Sequence, residues 1–170
     1  GIETLGTLLG NEERATQLRS SWQVRISRVR SAVSQVPWDQ RPRVFFGGMS
    51  EPVYSVGPGS FVHDLILAAG GRNAFGDVAL PWPRIDLETL VRRDPDVLLI
   101  AYMSPRDTAG VLQRLRAAPG WRSLGAVRKG KVATLGDEVM RPGPRMVDAL
   151  ERIHRALYPG GVPPGSDGTP

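Results

Sequence analysis

The sequence has 170 residues, enough for one domain to bury a core without help from metal or disulfides. It contains no cysteine, which excludes a disulfide framework and any thiolate metal site. The net charge is +5, but the arginines are spread along the chain and the densest group falls on an amphipathic helix, so nucleic acid is not an expected partner.

No apolar run approaches the roughly 18 residues that a membrane span needs, and the opening GIETLGTLLGNEER lacks the charged-then-apolar pattern of a signal peptide. The chain opens in mid-pattern without a methionine, as expected of the cut edge of a longer protein. Residues 2–9 read as a short helix closed by Gly10, with Asn11 capping the next. That second helix is about seven turns long, because Ala15, Leu18, Trp22, Ile26, Val29, Val33 and Val36 recur at steps of three and four until Pro37 stops it. Its length suits a brace between two lobes.

RVFFG at 43–47 is the first predicted strand, and GGMSEPVYSVGPG follows as a loop. Ser60 caps a predicted helix over 61–69 that ends at Gly70-Gly71. Pro81-Trp82-Pro83 follows in an irregular loop; each proline restricts its own backbone and that of its predecessor, so Trp82 is either presented outward or plugs the loop against the core. Asp86 is a weak cap for a short helix, with Glu88 in its first turn, where the helix dipole favours an acid. Asp94-Pro95 ends that helix. DVLLIAY at 96–102 is an unbroken apolar run, suited to a strand covered on both faces. A helix over 108–117, a strand at 131–135 and a last helix over 145–157 complete the pattern.

This alternation predicts an α/β protein with a three-layer, doubly wound, mainly parallel sheet plus a long linking helix. Residues 1–37 form the helical segment, 38–158 the α/β ligand-binding lobe, and 159–170 a disordered tail. In such sheets ligands sit beyond the carboxyl ends of the strands, which gathers Tyr54, Trp82, Tyr102, Asp137, Glu138 and Arg141 on one rim. The rim is poor in catalytic groups. His63 and His154 both fall within helices, and adjacent Asp137 and Glu138 point to opposite sides of an extended backbone. Two acids beside Arg141 do not make a metal site. Aromatics, a few polar groups and glycine-rich backbone instead suit a site that holds a ligand by flat apolar contact and fixes it by hydrogen bonds.

The run VGPGSFVHDLILAAGGRNAFGDVALPWPRIDLETLVRRDPDVLLI, with the long helix upstream and GDEVMRPGPRMVDALERI downstream, resembles the C-terminal lobe of the substrate-binding proteins that serve ABC importers for cobalamin, haem and ferric siderophores. The combination of Gly-Gly, Asn-x-Phe, Trp-Pro, Glu and Asp-Pro-Asp carries the resemblance, and the cobalamin-binding branch is the nearest look-alike. It implies one lobe of a two-lobe protein whose N-terminal lobe is missing, working outside the cytoplasmic membrane, without catalysis, cofactor or metal. The implied ligand is a corrinoid such as cobalamin, with haem or a ferric siderophore as the alternatives. By motif, Tyr54 and Trp82 would lie against the corrin, Asp137 and Arg141 would bond its amide side chains, and Glu88 would pair with arginine on the ABC permease. Glu138 departs from the pattern, since an aromatic often stands at its position in the family. A reading from another class is a nucleotide- or sugar-dependent enzyme using Gly57–Ser60 as an anion loop, although no catalytic base is found near it. A third is an interaction module built on the long basic helix.

Overall fold

The computed structural model describes residues 12–101, 107–136, 139 and 145–162. The helix predicted over 2–9, its successor's cap Asn11, and Tyr102, Asp137, Glu138 and Arg141 lie outside them, as do residues 163–170 of the tail. Strands β1 (Arg43–Gly47), β3 (Arg72–Asn73), β5 (Val97–Ala101) and β6 (Val132–Leu135) form one parallel sheet in the order β3-β1-β5-β6. A separate antiparallel ladder pairs β2 (Val53–Tyr54) with β4 (Arg84–Ile85). The helices are α1 (Glu12–Ser34), α2 (Phe61–Ala68), α3 (Leu87–Arg93), α4 (Thr108–Ala117), α5 (Gly125–Arg128) and α6 (Met146–Leu157).

The apolar runs of β1 and β5 are continuous because both faces of these central strands are covered. Val44, Phe46, Val97 and Leu99 face one layer, where they pack with Val29 and Val33 of α1, Val62 and Ile66 of α2, and Leu150 and Ile153 of α6. The intervening Phe45, Leu98 and Ile100 face the other layer, against Leu90 of α3, Val111 and Leu115 of α4, and Val127 of α5. Phe45 meets Phe75 and Trp121 edge-on, with ring centroids 6.3 and 5.9 Å away. The result is the three-layer α/β arrangement expected.

The sheet has one strand more than the three main strands expected. β3 consists only of Arg72 and Asn73, with no apolar run to announce it. It pairs because Arg72 and Ala74 donate their N–H groups to Pro42 and Val44, each at 2.8 Å. The long helix also differs from its pattern. Val29, Val33 and Val36 are buried, but Leu18 and Ile26 on the same stripe are 40% and 42% exposed. Apart from Ala15, the buried part of the stripe on α1 thus begins at Val29.

The junction between α1 and α6 is polar. Arg25 donates through Nε and a terminal nitrogen to both oxygens of Glu151, at 2.9 and 2.8 Å, and to Asp148 at 2.5 Å. This fork holds Glu151 below the ordinary glutamate range, chiefly through the hydrogen bond from Arg25. A carboxyl with a depressed folded pKa contributes stability above its unfolded value and loses it as pH falls through the folded one. Glu151→Gln should therefore lower the thermal midpoint at neutral pH and flatten its decline below about pH 4.3, the unfolded glutamate value. Parallel pH profiles of the two proteins would check this; identical slopes would count against the fork.

Candidate functional site

The β2–β4 ladder extends beyond its two strand pairs. Val53 opposes Ile85 and Tyr54 opposes Arg84, after which Ser55 N–H donates to the Pro83 carbonyl and Gly57 N–H to the Pro81 carbonyl, both at 3.0 Å. Proline lacks an N–H but keeps its carbonyl, so Pro81 and Pro83 serve this ladder as acceptors alone. The alternation follows from the extended backbone: Val53, Ser55 and Pro83 are buried, while Tyr54, Trp82 and Arg84 are exposed. Tyr54 and Trp82 retain 50% and 48% of their surface. Trp121, packed in the core, retains 4%.

Two close approaches fix the ladder on the carboxyl end of the sheet. The buried Ser55 hydroxyl donates to the Phe46 carbonyl of β1 at 2.9 Å. A Cβ on Gly47, the last residue of β1, would collide with the Tyr54 carbonyl. Further along, a Cβ on Gly57 would strike the Leu80 carbonyl oxygen and lie 2.9 Å from that of Val78, so only glycine lets the loop approaching Trp82 pass this close. Arg93 of α3 secures the start of the same loop, donating to Asp77 at 2.5 and 2.9 Å and to the Ala74 carbonyl at 2.6 Å. Its guanidinium also lies 4.6 Å from the Phe75 ring centre.

Asn73, unassigned from sequence beyond its place in the Asn-x-Phe pattern, proves to be a tie between segments. It donates to the Val56 carbonyl at 2.8 Å, accepts from Phe75 N–H at 3.0 Å, and contacts His63 Nδ1 at 2.9 Å. His154 Nδ1 lies 2.9 Å from the Ala69 carbonyl. Both histidines are thus held in structural contacts. The anion-loop reading of Gly57–Ser60 also gives way to a turn. Ser60 Oγ donates to the Gly57 carbonyl at 2.8 Å and accepts from His63 N–H at 3.2 Å as the cap of α2.

Asp86 is the cap of α3, accepting from Thr89 N–H at 2.6 Å and Thr89 Oγ1 at 2.8 Å. These bonds, the one from the backbone first, hold its carboxyl below the ordinary aspartate range. Glu88 follows in the first turn with 88% of its side chain exposed, at 3.6 Å from Arg92 one turn on. Such an exposed pair is worth about 0.3–0.5 kcal/mol, so either charge is easily drawn to another partner. Between the ladder and α3 lies a cavity of about 400 Å³ lined by Glu51, Pro52, Val53 and residues 84–87.

The structure thus brings Tyr54 and Trp82 to one face and sets Glu88 a few residues beyond. Arg84 on the same face was not singled out from the sequence. Reading 82–84 as a strand, with alternate residues outward, would have found it. Among the described residues no group of three or more His, Asp or Glu side chains converges as a metal site.

Two half-exposed rings and a cation thus share one face of a ladder at the carboxyl end of a parallel sheet, the end at which ligands sit in open α/β sheets. The periplasmic binding protein family model matches residues 1–139, and the chain belongs to that family. A cobalamin-binding protein of Halobacterium salinarum is 28% identical over 158 residues, which is 91% of this chain and 42% of that protein. The crystal structure of an ABC-type Fe3+-hydroxamate transport system from Saccharomonospora viridis superposes with a TM-score of 0.71 at 29% identity, covering 91% of this chain and 53% of that one. The periplasmic heme-binding protein BhuT in complex with two hemes gives 0.70 at 26% identity, covering 93% and 60%. The chain spans about half the length of the curated relatives it matches.

Proposed function

We propose that the chain is the C-terminal lobe of a solute-binding protein serving an ABC importer outside the cytoplasmic membrane, with a corrinoid as its ligand and no catalysis of its own. The observation that carries this reading is the pair of half-exposed rings, Tyr54 and Trp82, on one face of the ladder. A flat macrocycle offers the two rings a matching apolar surface. Asp137 and Arg141, in the segment after β6, would bond the ligand's polar periphery. The name of the Halobacterium relative supports cobalamin, while the named heme and Fe3+-hydroxamate neighbours keep haem and a ferric siderophore as the second reading. Ser60's commitment to its cap speaks against the nucleotide- or sugar-dependent enzyme.

The exposed Leu18 and Ile26, on the same stripe as the buried Val29 and Val33, support a second lobe that packs on α1 ahead of Val29, making α1 the linking helix of a two-lobe protein. Glu88, exposed and loosely paired, is the docking contact for an arginine of the permease; a rim charge of this kind steers and registers a partner more than it adds affinity. Titration of the intact protein with cyanocobalamin, haemin and a ferric siderophore tests the ligand. Saturable binding of cyanocobalamin is expected, and binding confined to haemin or the siderophore would remove the corrinoid. Glu88→Ala should leave ligand affinity and fold unchanged while slowing capture by permease-containing vesicles; equal capture would remove Glu88 from the docking face.

A further inference from the structure

We infer that Arg84 reads a negative charge on the rim of the ligand, so that the platform selects a flat macrocycle bearing a peripheral phosphodiester or carboxylate over a neutral one. The inference rests on the solute-binding reading above and adds the ligand's charge to it.

Arg84 stands directly opposite Tyr54 in the ladder and two positions from Trp82, on the same exposed face. Among the described residues its side chain makes no hydrogen bond or ion pair. Other arginines that pack near the site or across the lobe are committed. Arg93 forks Asp77, Arg25 forks Glu151, Arg43 donates to the Asp94 carbonyl, and Arg72 donates to the Arg41 carbonyl. The two acids nearest Arg84 in the cavity wall do not claim it. Asp86 is spent on the cap of α3, and Glu51 forms no ion pair with it.

A ligand seated on Tyr54 and Trp82 would strip water from the guanidinium beside them. An unpaired charge resists that desolvation, whereas an anion on the ligand's edge offsets it through a bidentate, charge-assisted hydrogen bond. The two rings supply flat contact without regard to charge. Arg84 is the group that makes the face discriminate.

The test compares the intact protein with Arg84→Gln and Arg84→Lys by titration with three probes: cyanocobalamin, which carries a phosphodiester; dicyanocobinamide, the same macrocycle without it; and haemin, which carries two carboxylates. Arg84→Gln is expected to weaken binding of the anion-bearing probe that the protein prefers roughly tenfold, to change dicyanocobinamide binding less than twofold, and Arg84→Lys should recover part of the loss. A loss confined to cyanocobalamin identifies a phosphodiester, and one confined to haemin identifies carboxylates. Equal losses for cyanocobalamin and dicyanocobinamide, or no loss with any probe, would overturn the role of Arg84 and leave the solute-binding reading standing. If the unaltered protein binds none of the three, the inference falls together with the corrinoid and haem readings, and the solute-binding reading is left with a ferric siderophore.

Discussion

Trp82→Ala should weaken ligand binding roughly thirtyfold while disturbing the fold far less than Trp121→Ala. The exposed half of the Trp82 side chain offers a ligand on the order of 80 Å² to cover, or about 2 kcal/mol at the usual coefficient for apolar burial. Trp121 is 4% exposed and meets Phe45 edge-on at 5.9 Å, so its truncation opens a core cavity costing about 3–5 kcal/mol. Isothermal titration beside thermal unfolding separates the two effects. If Trp82→Ala lowered the melting temperature as much as Trp121→Ala and left affinity intact, Trp82 would be a packing residue that merely shows one edge.

Gly57→Ala is expected to impair both properties. Its Cβ would meet the backbone oxygens of Leu80 and Val78, which cannot swing aside as a side chain can. Overpacking of this kind costs about 1–3 kcal/mol. The strain would be relieved by pushing out the loop that leads to Trp82, so affinity should fall with stability. Gly48→Ala is the matched control. A Cβ there has nothing closer than Ser50 N at 4.0 Å, and both measurements should stay near those of the unaltered protein. Equal behaviour of the two variants would mean that the loop yields without consequence.

How much of this was legible depended on where each signal resides. β1 and β5 were readable because central parallel strands, covered on both faces, need unbroken apolar runs, and α2 because Ser60 and the Gly70-Gly71 pair bracket it. β3 was not, since two polar residues pair through backbone alone. The single turn of α5 and the buried Trp121 before it were hidden for a similar reason. Four residues carry no period, and Pro119-Gly120 reads as a loop whatever follows. The stripe on α1 was legible as a period but not as burial, because cover belongs to the partner surface and not to the helix. At the site, the flanking prolines drew attention to Trp82 and the strand-end rule to Tyr54, while the docking role of Glu88 came from the resemblance. Arg84 escaped because Pro81 and Pro83 suggest irregular chain, and only the acceptor role of their carbonyls reveals extended backbone with a defined outward face.

The ladder has a consequence for how such a protein can change its diet. Positions 54, 82 and 84 point outward, whereas 53, 55 and 83, interleaved with them, hold the ladder to the body of the lobe. Substitution at the outward set changes the exposed face without touching the groups that fasten the ladder. On the proposed function, new cargo specificities would be reachable by single steps that each leave a folded protein, and a small library randomised at these three positions should remain largely soluble while its ligand preferences diverge.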